Sequence, residues 1–305
     1  MVQSIILTGP TAVGKSSLAI ELAEKLSLEI INADSVCFYQ EFNVGSAKPN
    51  ADDLSRVPHH LINIAHPLQN YHAGQFLRDF NRVLDEIHQR GKRALIVGGS
   101  GFYLKSLRLG LWEAPETSPE FRAEVEGLET SILFQELLLA DPAHAQKVGP
   151  ADRYRIIRAL EIFRLSGKKP SELQSSMSDA PNPQFQLWVV DRDKEALAAR
   201  MRTRIQEMIR GGLIEETQAL LQKYPESKTL RAVGYEQVLQ YLAGTKPEGR
   251  KLKPGIEGLI DEIELSHRQL AKHQRTWFRN LKPDQSFILD QDRDELAEKM
   301  MKLYQ

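Results

Sequence analysis

A glycine-rich stretch near the start of the chain has the residues of a phosphate-binding loop. Residues 9–16 read GPTAVGKS, which fits G-x-x-x-x-G-K-[ST] after an apolar run and before a helical one. The glycines let backbone N–H groups turn inward around an anion, and the helix start adds its dipole. We expect the Lys15 ammonium to reach a terminal phosphate and the Ser16 hydroxyl to bind Mg²⁺. The predicted phosphate-binding residues are Gly9, Thr11, Ala12, Val13, Gly14, Lys15 and Ser16.

Two more polar segments follow apolar runs, NADSVCFYQ at 32–40 and VGGSGFYLK at 97–105. Because ligands of open parallel sheets bind beyond the carboxyl ends of the strands, we expect Asp34 and Ser100 to converge near the phosphate loop. Asp34 is a candidate general base, and a turn-capping role stays open for it. Ser100 has an equally open alternative as the cap of the helix that starts at Gly101.

The elements that would position these residues alternate between strand and helix. Short apolar runs without polar alternation predict strands at 4–8, at 29–33 and just before Gly98. Helical periodicity follows at 15–26, at 75–89 and from Gly101. This order predicts an α/β fold with a parallel sheet like that of P-loop NTPases.

The pattern changes after the third strand and helix. Residues 113–183 read as mostly helical, and FQLWVVD at 185–191 returns to a strand signal. We therefore predict a P-loop α/β core formed by 1–112 and 184–305, with a helical insertion domain at 113–183. The C-terminal region is predicted to be helical, with its longest helix over about 256–281 and a last strand in QSFILD.

Composition limits the class of protein. The net charge of −1 does not by itself indicate nucleic-acid binding, but residues 265–282 hold five Lys or Arg and no acid. Residues 152–169 hold six basic and two acidic residues. A single cysteine, Cys37, excludes an internal disulfide and fits a reducing compartment. We predict a cytoplasmic, monomeric protein without a membrane span.

Seven segments occur in order from Gly9 to Arg279: GPTAVGKSSLAIELA, INADSVCFYQEFNVGSAKP, PHHLINIAHP, LIVGGSGFYLKSL, DRYRIIRALEIFRLSGKKPSE, RAVGYEQVLQYLAG and RQLAKHQRTWFR. Together they resemble the bacterial tRNA dimethylallyltransferase family. The resemblance implies transfer of a dimethylallyl group from dimethylallyl diphosphate to N6 of the adenosine 3′-adjacent to the tRNA anticodon. It implies release of diphosphate, an anticodon stem-loop as partner and Mg²⁺ as cofactor.

The resemblance also implies roles for individual residues. Asp34 matches the catalytic base, and the Ser100 hydroxyl stands near N6 where relatives usually carry Thr. Cys37 and His273 depart from the Gln and Arg that many relatives have. The helical insertion would grip the anticodon stem while the core does the chemistry. The predicted tRNA-binding residues are Asp34, Ser35, Val36, Cys37, Ser100, Arg122, Arg155, Arg158, Arg231, Tyr235, Arg268, Lys272, Arg275 and Arg279.

The long C-terminal helix is predicted to carry two faces. Arg268, Lys272, Arg275 and Arg279 fall at helical spacing and form one positive stripe. A separate apolar stripe would face the core. Its predicted members are Ile256, Ile260, Ile263, Leu270, Trp277 and Leu281.

Three alternatives stay open. A P-loop kinase of a nucleoside or small metabolite would share the phosphate loop and could use Asp34 as a base, but it has no need of a basic helix. A prenyltransferase of free adenine nucleotides would need no large RNA-gripping insertion. An RNA-binding protein with a degenerate site is disfavoured because the loop and Asp34 are intact. His59 and His60 lack a third ligand at suitable spacing, so we predict a structural role for them.

Overall fold

The computed structural model describes residues 3–112, 114–175, 180–244 and 253–304. The chain divides into two compact units. One unit is formed by Met1–Arg108 with Asn182–Gln305, and the other by Leu109–Pro181. Within the described residues, no helix is both long enough and apolar enough to span a membrane.

The first unit contains a six-stranded sheet in which every neighbouring pair is parallel. The predicted P-loop-like α/β fold is therefore confirmed. The strand order is β3-β2-β4-β1-β5-β6, and β1, β2 and β4 are buried along their whole length. Burial on both faces is the reason that these strands read as apolar runs. The strands are β1 (Ser4–Thr8), β2 (Glu29–Asn32), β3 (His59–His60), β4 (Ala94–Val97), β5 (Phe185–Asp191) and β6 (Gln285–Ile288).

Four helices precede the second unit. The phosphate loop connects β1 to the first of them, and α3 begins two residues before the predicted start because His72 and Gln75 form a capping box there. Two short elements, β3 and α2, gave no clear signal in the sequence. The four helices are α1 (Lys15–Leu26), α2 (Ala51–Arg56), α3 (Ala73–Gln89) and α4 (Gly101–Leu109).

The second unit is helical and has a small apolar core of its own. Glu161 lies fully buried beside this core and accepts hydrogen bonds from Arg122 at 3.1 Å and Arg158 at 2.5 Å. Burial raises the pKa of Glu161, but the bonds from both arginines outweigh that effect and hold it below the usual range. The helices are α5 (Pro119–Val125), α6 (Thr130–Ala140), α7 (Pro142–Val148), α8 (Arg153–Ser166) and α9 (Pro170–Ser175).

Among the residues that the structure describes, the first unit is completed by five more helices and a 3₁₀ turn at Lys228–Arg231. The C-terminal helix is tied to the sheet by Tyr304, whose hydroxyl accepts from the Ile5 N–H at 2.9 Å and donates to the Ala94 carbonyl at 2.7 Å. The helices are α10 (Lys194–Arg210), α11 (Leu213–Lys223), α12 (Tyr235–Leu242), α13 (Gly255–Asn280) and α14 (Arg293–Tyr304).

Of the six predicted members of the apolar stripe of α13, Ile260, Ile263 and Leu281 are buried, Leu270 is half-buried and two are exposed. Ile260 and Ile263 are buried, but Ile256 is 40% exposed and Trp277 is 38% exposed. Phe278 is buried in place of Trp277. The reason is that the buried face of this helix also holds polar side chains, which displaces the apolar stripe around the helix axis. The buried polar residues of α13 are Glu262, Glu264, His267 and Gln274.

Candidate active site

A cavity of about 150 Å³ opens where the phosphate loop and the segments after β2 and β4 meet. Thr11, Lys15 and Ser16 line it from the loop, Asp34 from the segment after β2 and Gly98 from the segment after β4. This is the edge at which the parallel sheet predicts a ligand site. Three of the polar or charged side chains that line the cavity come from the C-terminal half of the unit: Arg204, His267 and Gln274.

The phosphate loop has the backbone shape that its glycines allow. Gly14 adopts a left-handed φ of 97°, and a side chain on Gly9 would lie 2.2 Å from the Val190 carbonyl oxygen. Gly14 is also the N-terminal cap of α1, and no side chain caps the first N–H groups of that helix. These N–H groups are therefore available to an anion together with the positive end of the helix dipole.

Two arginines donate hydrogen bonds to backbone carbonyl groups of the phosphate loop. Arg192 Nε donates to the Val13 carbonyl at 2.8 Å, and Arg200 Nε donates to the Ala12 carbonyl at 3.3 Å. Because peptide groups are planar, a fixed carbonyl also fixes the direction of the next N–H group. The two guanidinium groups thus orient the loop and add positive charge beside it.

The charged ends of Lys15 and Asp34 both lie close to Gly99. A side-chain carbon built on Gly99 would lie 3.5 Å from Lys15 Nζ and 3.5 Å from Asp34 Oδ2. Burial lowers the pKa of Lys15, and the neighbouring Asp34 carboxylate opposes that change. The site therefore places a cationic and an anionic side chain next to Gly99 in the same cavity.

Asp34 forms the turn that its sequence context allowed, and its second carboxylate oxygen is free of that turn. Its Oδ1 accepts from the Val36 N–H at 3.3 Å, which is an Asx-type turn. The Asp34 N–H donates to Asn32 Oδ1 at 3.0 Å, so the backbone is fixed on both sides of the carboxylate. Oδ2 is the oxygen near Gly99 and Lys15. One oxygen thus caps a turn and the other faces the cation.

Ser100 bonds across to the segment after β2 through its side chain. Its Oγ accepts from the Ser35 N–H at 2.9 Å and lies 3.0 Å from Ser35 Oγ. These bonds join the segments that follow β2 and β4, and they give no support to the helix-capping alternative. The structure therefore brings together Asp34, Ser35 and Ser100, as predicted for two converging strand ends.

Val36 and Cys37 also line the cavity. Cys37 is buried, and burial together with the Asp34 carboxylate raises the pKa of its thiol to about 12. The thiol is neutral at physiological pH and presents little surface to a large partner.

Tyr235 requires a correction. Its side chain is fully buried, its ring packs against Phe42 at 5.0 Å between centroids, and its hydroxyl donates to Glu216 at 2.7 Å. A tRNA contact through this side chain is therefore contradicted, because the ring is part of the core. Arg231 is exposed and lies 3.6 Å from Glu236.

The positive stripe of α13 is partly neutralised by acidic side chains that lie outside residues 265–282, the segment without acids. Arg275 makes two hydrogen bonds of 2.7 Å with Asp191 at the end of β5, and Arg268 bonds Glu264 at 2.5 Å. In the described parts of the chain, Lys272 and Arg279 have no ion-pair partner. Among the described residues of this helix they are the exposed cations without an ion pair, whereas Arg268 is exposed but paired.

In the helical unit, the three predicted arginines differ in exposure. Arg122 and Arg158 are turned toward the buried Glu161, and their side chains keep 29% and 23% of their accessible surface. Arg155 is exposed and pairs only with the nearby Asp152 at 3.2 Å. Arg155 is therefore the most accessible of the three to an anionic partner.

Sequence reasoning missed Arg204 and His267. Burial lowers the pKa of Arg204 while Asp34 opposes the change, and no carboxylate pairs with its guanidinium among the residues described. His267 Nδ1 faces the Ile263 carbonyl at 2.9 Å, and burial lowers its pKa to about 4, so its imidazole is neutral. No motif marks either residue, because helix packing alone brings them to the cavity.

His59 and His60 have structural partners, as predicted. His59 Nδ1 lies 2.7 Å from the Val57 carbonyl, and His60 Nε2 lies 2.6 Å from Glu29. Across residues 3–112, 114–175, 180–244 and 253–304, no group of three or more His, Cys, Asp or Glu could hold a metal.

Comparison with known proteins agrees with this geometry. The sequence model described as IPP transferase matches residues 37–281. The chain is 40% identical to the tRNA dimethylallyltransferase of Methylobacillus flagellatus in an alignment of 297 residues. This alignment covers 94% of this chain and 91% of that relative. It is similarly 40% identical to the tRNA dimethylallyltransferase of Geobacter sulfurreducens, over 90% of this chain and 88% of the relative.

Solved structures are similar over the whole length. The full-length tRNA isopentenylpyrophosphate transferase from Bacillus halodurans is 29% identical, with a TM-score of 0.68 over 100% of this chain and 97% of that one. A eukaryotic dimethylallyltransferase acting on tRNA shares the fold, with a TM-score of 0.83 at 24% identity over 98% of this chain and 78% of that one.

The geometry of the loop predicts that Lys15 binds inorganic diphosphate. We expect Lys15→Met to weaken the affinity for diphosphate about 10-fold or more, because it removes the charge that faces the anion. Isothermal titration at fixed Mg²⁺ measures the effect. Lys48→Met is the matched control, since Lys48 is a largely buried lysine whose pKa burial lowers to about 8 and which bonds Asn63 at 2.7 Å. Equal affinity of wild type and Lys15→Met would contradict the assignment.

Proposed function

Because the chain belongs to the IPP transferase family, we propose that it transfers a dimethylallyl group from dimethylallyl diphosphate to N6 of the adenosine 3′-adjacent to the anticodon in tRNA. Diphosphate is the second product. The observation that carries the proposal is the placement of Lys15 and Asp34 next to Gly99 in one cavity. An anion site and a proton acceptor in the same cavity suit displacement of a diphosphate by an amine.

The leaving group defines the task of the phosphate loop. As the C1–O bond of the substrate breaks, its electron pair moves to the diphosphate, which gains negative charge. The N–H groups at the start of α1, the Lys15 ammonium and the Arg204 guanidinium stabilise this charge. The loop thus acts on a departing group, and no phosphoryl group is transferred.

The nucleophile defines the task of Asp34. The N6 lone pair of adenine is delocalised into the ring, so the amine is a weak nucleophile. As nitrogen forms the new bond to C1, Asp34 Oδ2 accepts one of its protons. The hydroxyl of Ser100, which is hydrogen-bonded to Ser35, would offer a further hydrogen bond near N6.

The oxygen ligands at the site fit Mg²⁺. Ser16 is exposed at the start of α1 and lines the cavity, and hydroxyl and diphosphate oxygens are ligands that Mg²⁺ prefers. Among the described residues that line the cavity, Asp34 is the one acidic side chain, so substrate oxygens would complete the coordination. Mg²⁺ held by Ser16 would supply further positive charge toward the leaving diphosphate.

The tRNA partner is supported by exposed cations in each unit. In the first unit these exposed cations are Lys272 and Arg279 on α13, and in the second unit the exposed cation is Arg155 on α8. Exposed lysine and arginine side chains bind phosphates without reading sequence. The kinase alternative is not favoured, because relatives that cover about nine-tenths of the chain are named tRNA dimethylallyltransferases. We expect the enzyme to act as a cytoplasmic monomer.

A single incubation tests the proposed reaction. Enzyme, Mg²⁺, dimethylallyl diphosphate labelled in its carbon chain and unmodified tRNA should give acid-insoluble label and one diphosphate per label transferred. A tRNA with guanosine in place of the target adenosine is the control and should remain unlabelled. Consumption of ATP with a small acceptor and no entry of label into tRNA would favour the kinase instead.

Asp34→Asn separates the base from the turn cap. The amide keeps an oxygen for the Val36 N–H but cannot accept a proton, so we expect kcat to fall at least ~10²-fold with little change in tRNA affinity. Rapid-quench kinetics and filter binding measure the two quantities. Asp53→Asn is the control, because Asp53 belongs to the capping box of α2 and should leave kcat unchanged. A near-normal rate for Asp34→Asn would contradict the role of Asp34 as general base and would leave it only the role of capping the turn.

Lys272 and Arg275 should differ in their effect on tRNA binding. Lys272→Ala removes an unpaired exposed cation, and we expect the slope of log K against log salt to fall by about 1 without loss of stability. Arg275→Ala breaks the bond with Asp191 and should lower the unfolding temperature. Filter binding at several salt concentrations and thermal unfolding measure both variants. An unchanged slope for Lys272→Ala would place its side chain outside the tRNA interface.

A further inference from the structure

Gln274 on α13 joins two parts of the site with one side chain. Its Oε1 accepts from the Thr11 N–H at 2.8 Å, and its Nε2 donates to the Gly99 carbonyl at 2.9 Å. The side chain is 8% exposed and both ends of its amide are used. Thr11 belongs to the phosphate loop, and Gly99 precedes Ser100 in the segment after β4.

We propose that Gln274 is a positioning residue that sets the separation between the bound diphosphate and the acceptor amine. This inference rests on the proposed function and adds a residue to it. Gln274 acts through the two backbone segments that it connects, and its own amide takes no part in bond breaking or proton transfer.

The need for such a link follows from where the sheet ends. The last described side-chain link between β1 and the segment after β4 is the Thr8 hydroxyl, which donates to the Gly98 carbonyl at 2.7 Å. Thr11 and Gly99 lie beyond it, where strand pairing no longer connects the two segments. Gln274 spans them there, and it does so from a third element, α13.

The reaction is sensitive to this separation. Carbon C1 must lie between the departing oxygen, which the phosphate loop holds, and N6, which Asp34 and Ser100 face. A displacement of about 1 Å between reacting groups can cost about 10²-fold in rate. A bond that fixes the loop against the Gly99 segment therefore acts on the rate of the bound complex more than on the affinity for either substrate.

Glutamine is suited to both partners. The Thr11 N–H requires an acceptor and the Gly99 carbonyl requires a donor, and an amide of this length supplies both. Space is also limited, since a side-chain carbon on Gly99 would lie 2.7 Å from Gln274 Nε2. A glutamate would keep the acceptor and lose the donor, and a methionine would keep the length and lose both.

The test compares rate with affinity. In Gln274→Met we expect the single-turnover rate of the preformed enzyme–dimethylallyl diphosphate–tRNA complex to fall about 10- to 100-fold. The dissociation constants of inorganic diphosphate and of tRNA should each stay within about threefold of wild type. Gln186→Met is the control, because both ends of the Gln186 amide are also hydrogen-bonded but the residue lies outside the cavity. Its Nε2 donates to Gln3 at 2.7 Å, and its Oε1 accepts from Trp188 at 2.9 Å. This variant should lower the unfolding temperature and leave the rate unchanged.

Two results would overturn the inference. One is an unchanged single-turnover rate in Gln274→Met. The other is a parallel loss of rate and of both affinities, which indicates general damage to the fold. If Gln274→Met does not fold, Gln274→Glu answers the same question, since it loses the bond to Gly99 and should show the same fall in rate with retained tRNA affinity. Wild-type enzyme in the same assay tests the proposed function separately, because its failure to label tRNA would reject the transfer itself.

Discussion

The convergence of Lys15 and Asp34 on Gly99 is the constraint on which the site depends. A side-chain carbon on Gly99 would lie 3.5 Å from Lys15 Nζ and 3.5 Å from Asp34 Oδ2, and opposite charges in one cavity stabilise each other. A parallel sheet produces such a contact because β2, β4 and β1 are neighbours and all end at the same edge. The phosphate loop after β1, Asp34 after β2 and Gly99 after β4 then meet without any long excursion of the chain. Substrate diphosphate entering beside Lys15 therefore arrives next to the carboxylate that serves the other reactant.

The positive charge around the phosphate loop explains why this region can accept a diphosphate. Arg192 and Arg200 neutralise carbonyl oxygens on the outside of the loop, while Lys15 and Arg204 face the cavity. Burial lowers the pKa of both Lys15 and Arg204 because it disfavours their charged forms while no anion is bound. Binding of a multiply charged anion relieves that cost, and release of product restores it. The same groups that bind the substrate thus favour the state in which negative charge has moved fully onto the diphosphate.

Local patterns account for what the sequence predicted well. The strands β1 and β4 and the loop between β1 and α1 are each specified by residues within a short stretch, so their positions follow from the run of apolar residues and the glycines. Arg204 and Gln274 reach the site from helices far along the chain, and no spacing rule links them to it. Tyr235 shows a different error, because the family resemblance assigned it to tRNA and only its packing against Phe42 shows that its ring is in the core. Helical spacing assigned Trp277 to the core, yet Phe278 occupies that place.

The helix α13 shows why prediction by apolar periodicity fails at an active site. A helix that only closed a core would bury aliphatic residues along one face, and α13 does so at Ile260 and Ile263. Farther along, the same face meets the open ends of strands, where backbone N–H and carbonyl groups lack sheet partners and must be satisfied by something other than water. Gln274 lies at this position, and its buried amide satisfies a donor and an acceptor at once. Polar residues on the buried face of a helix that crosses the carboxyl edge of a parallel sheet are therefore a signal of the site itself, and they can be read as such once the edge has been located.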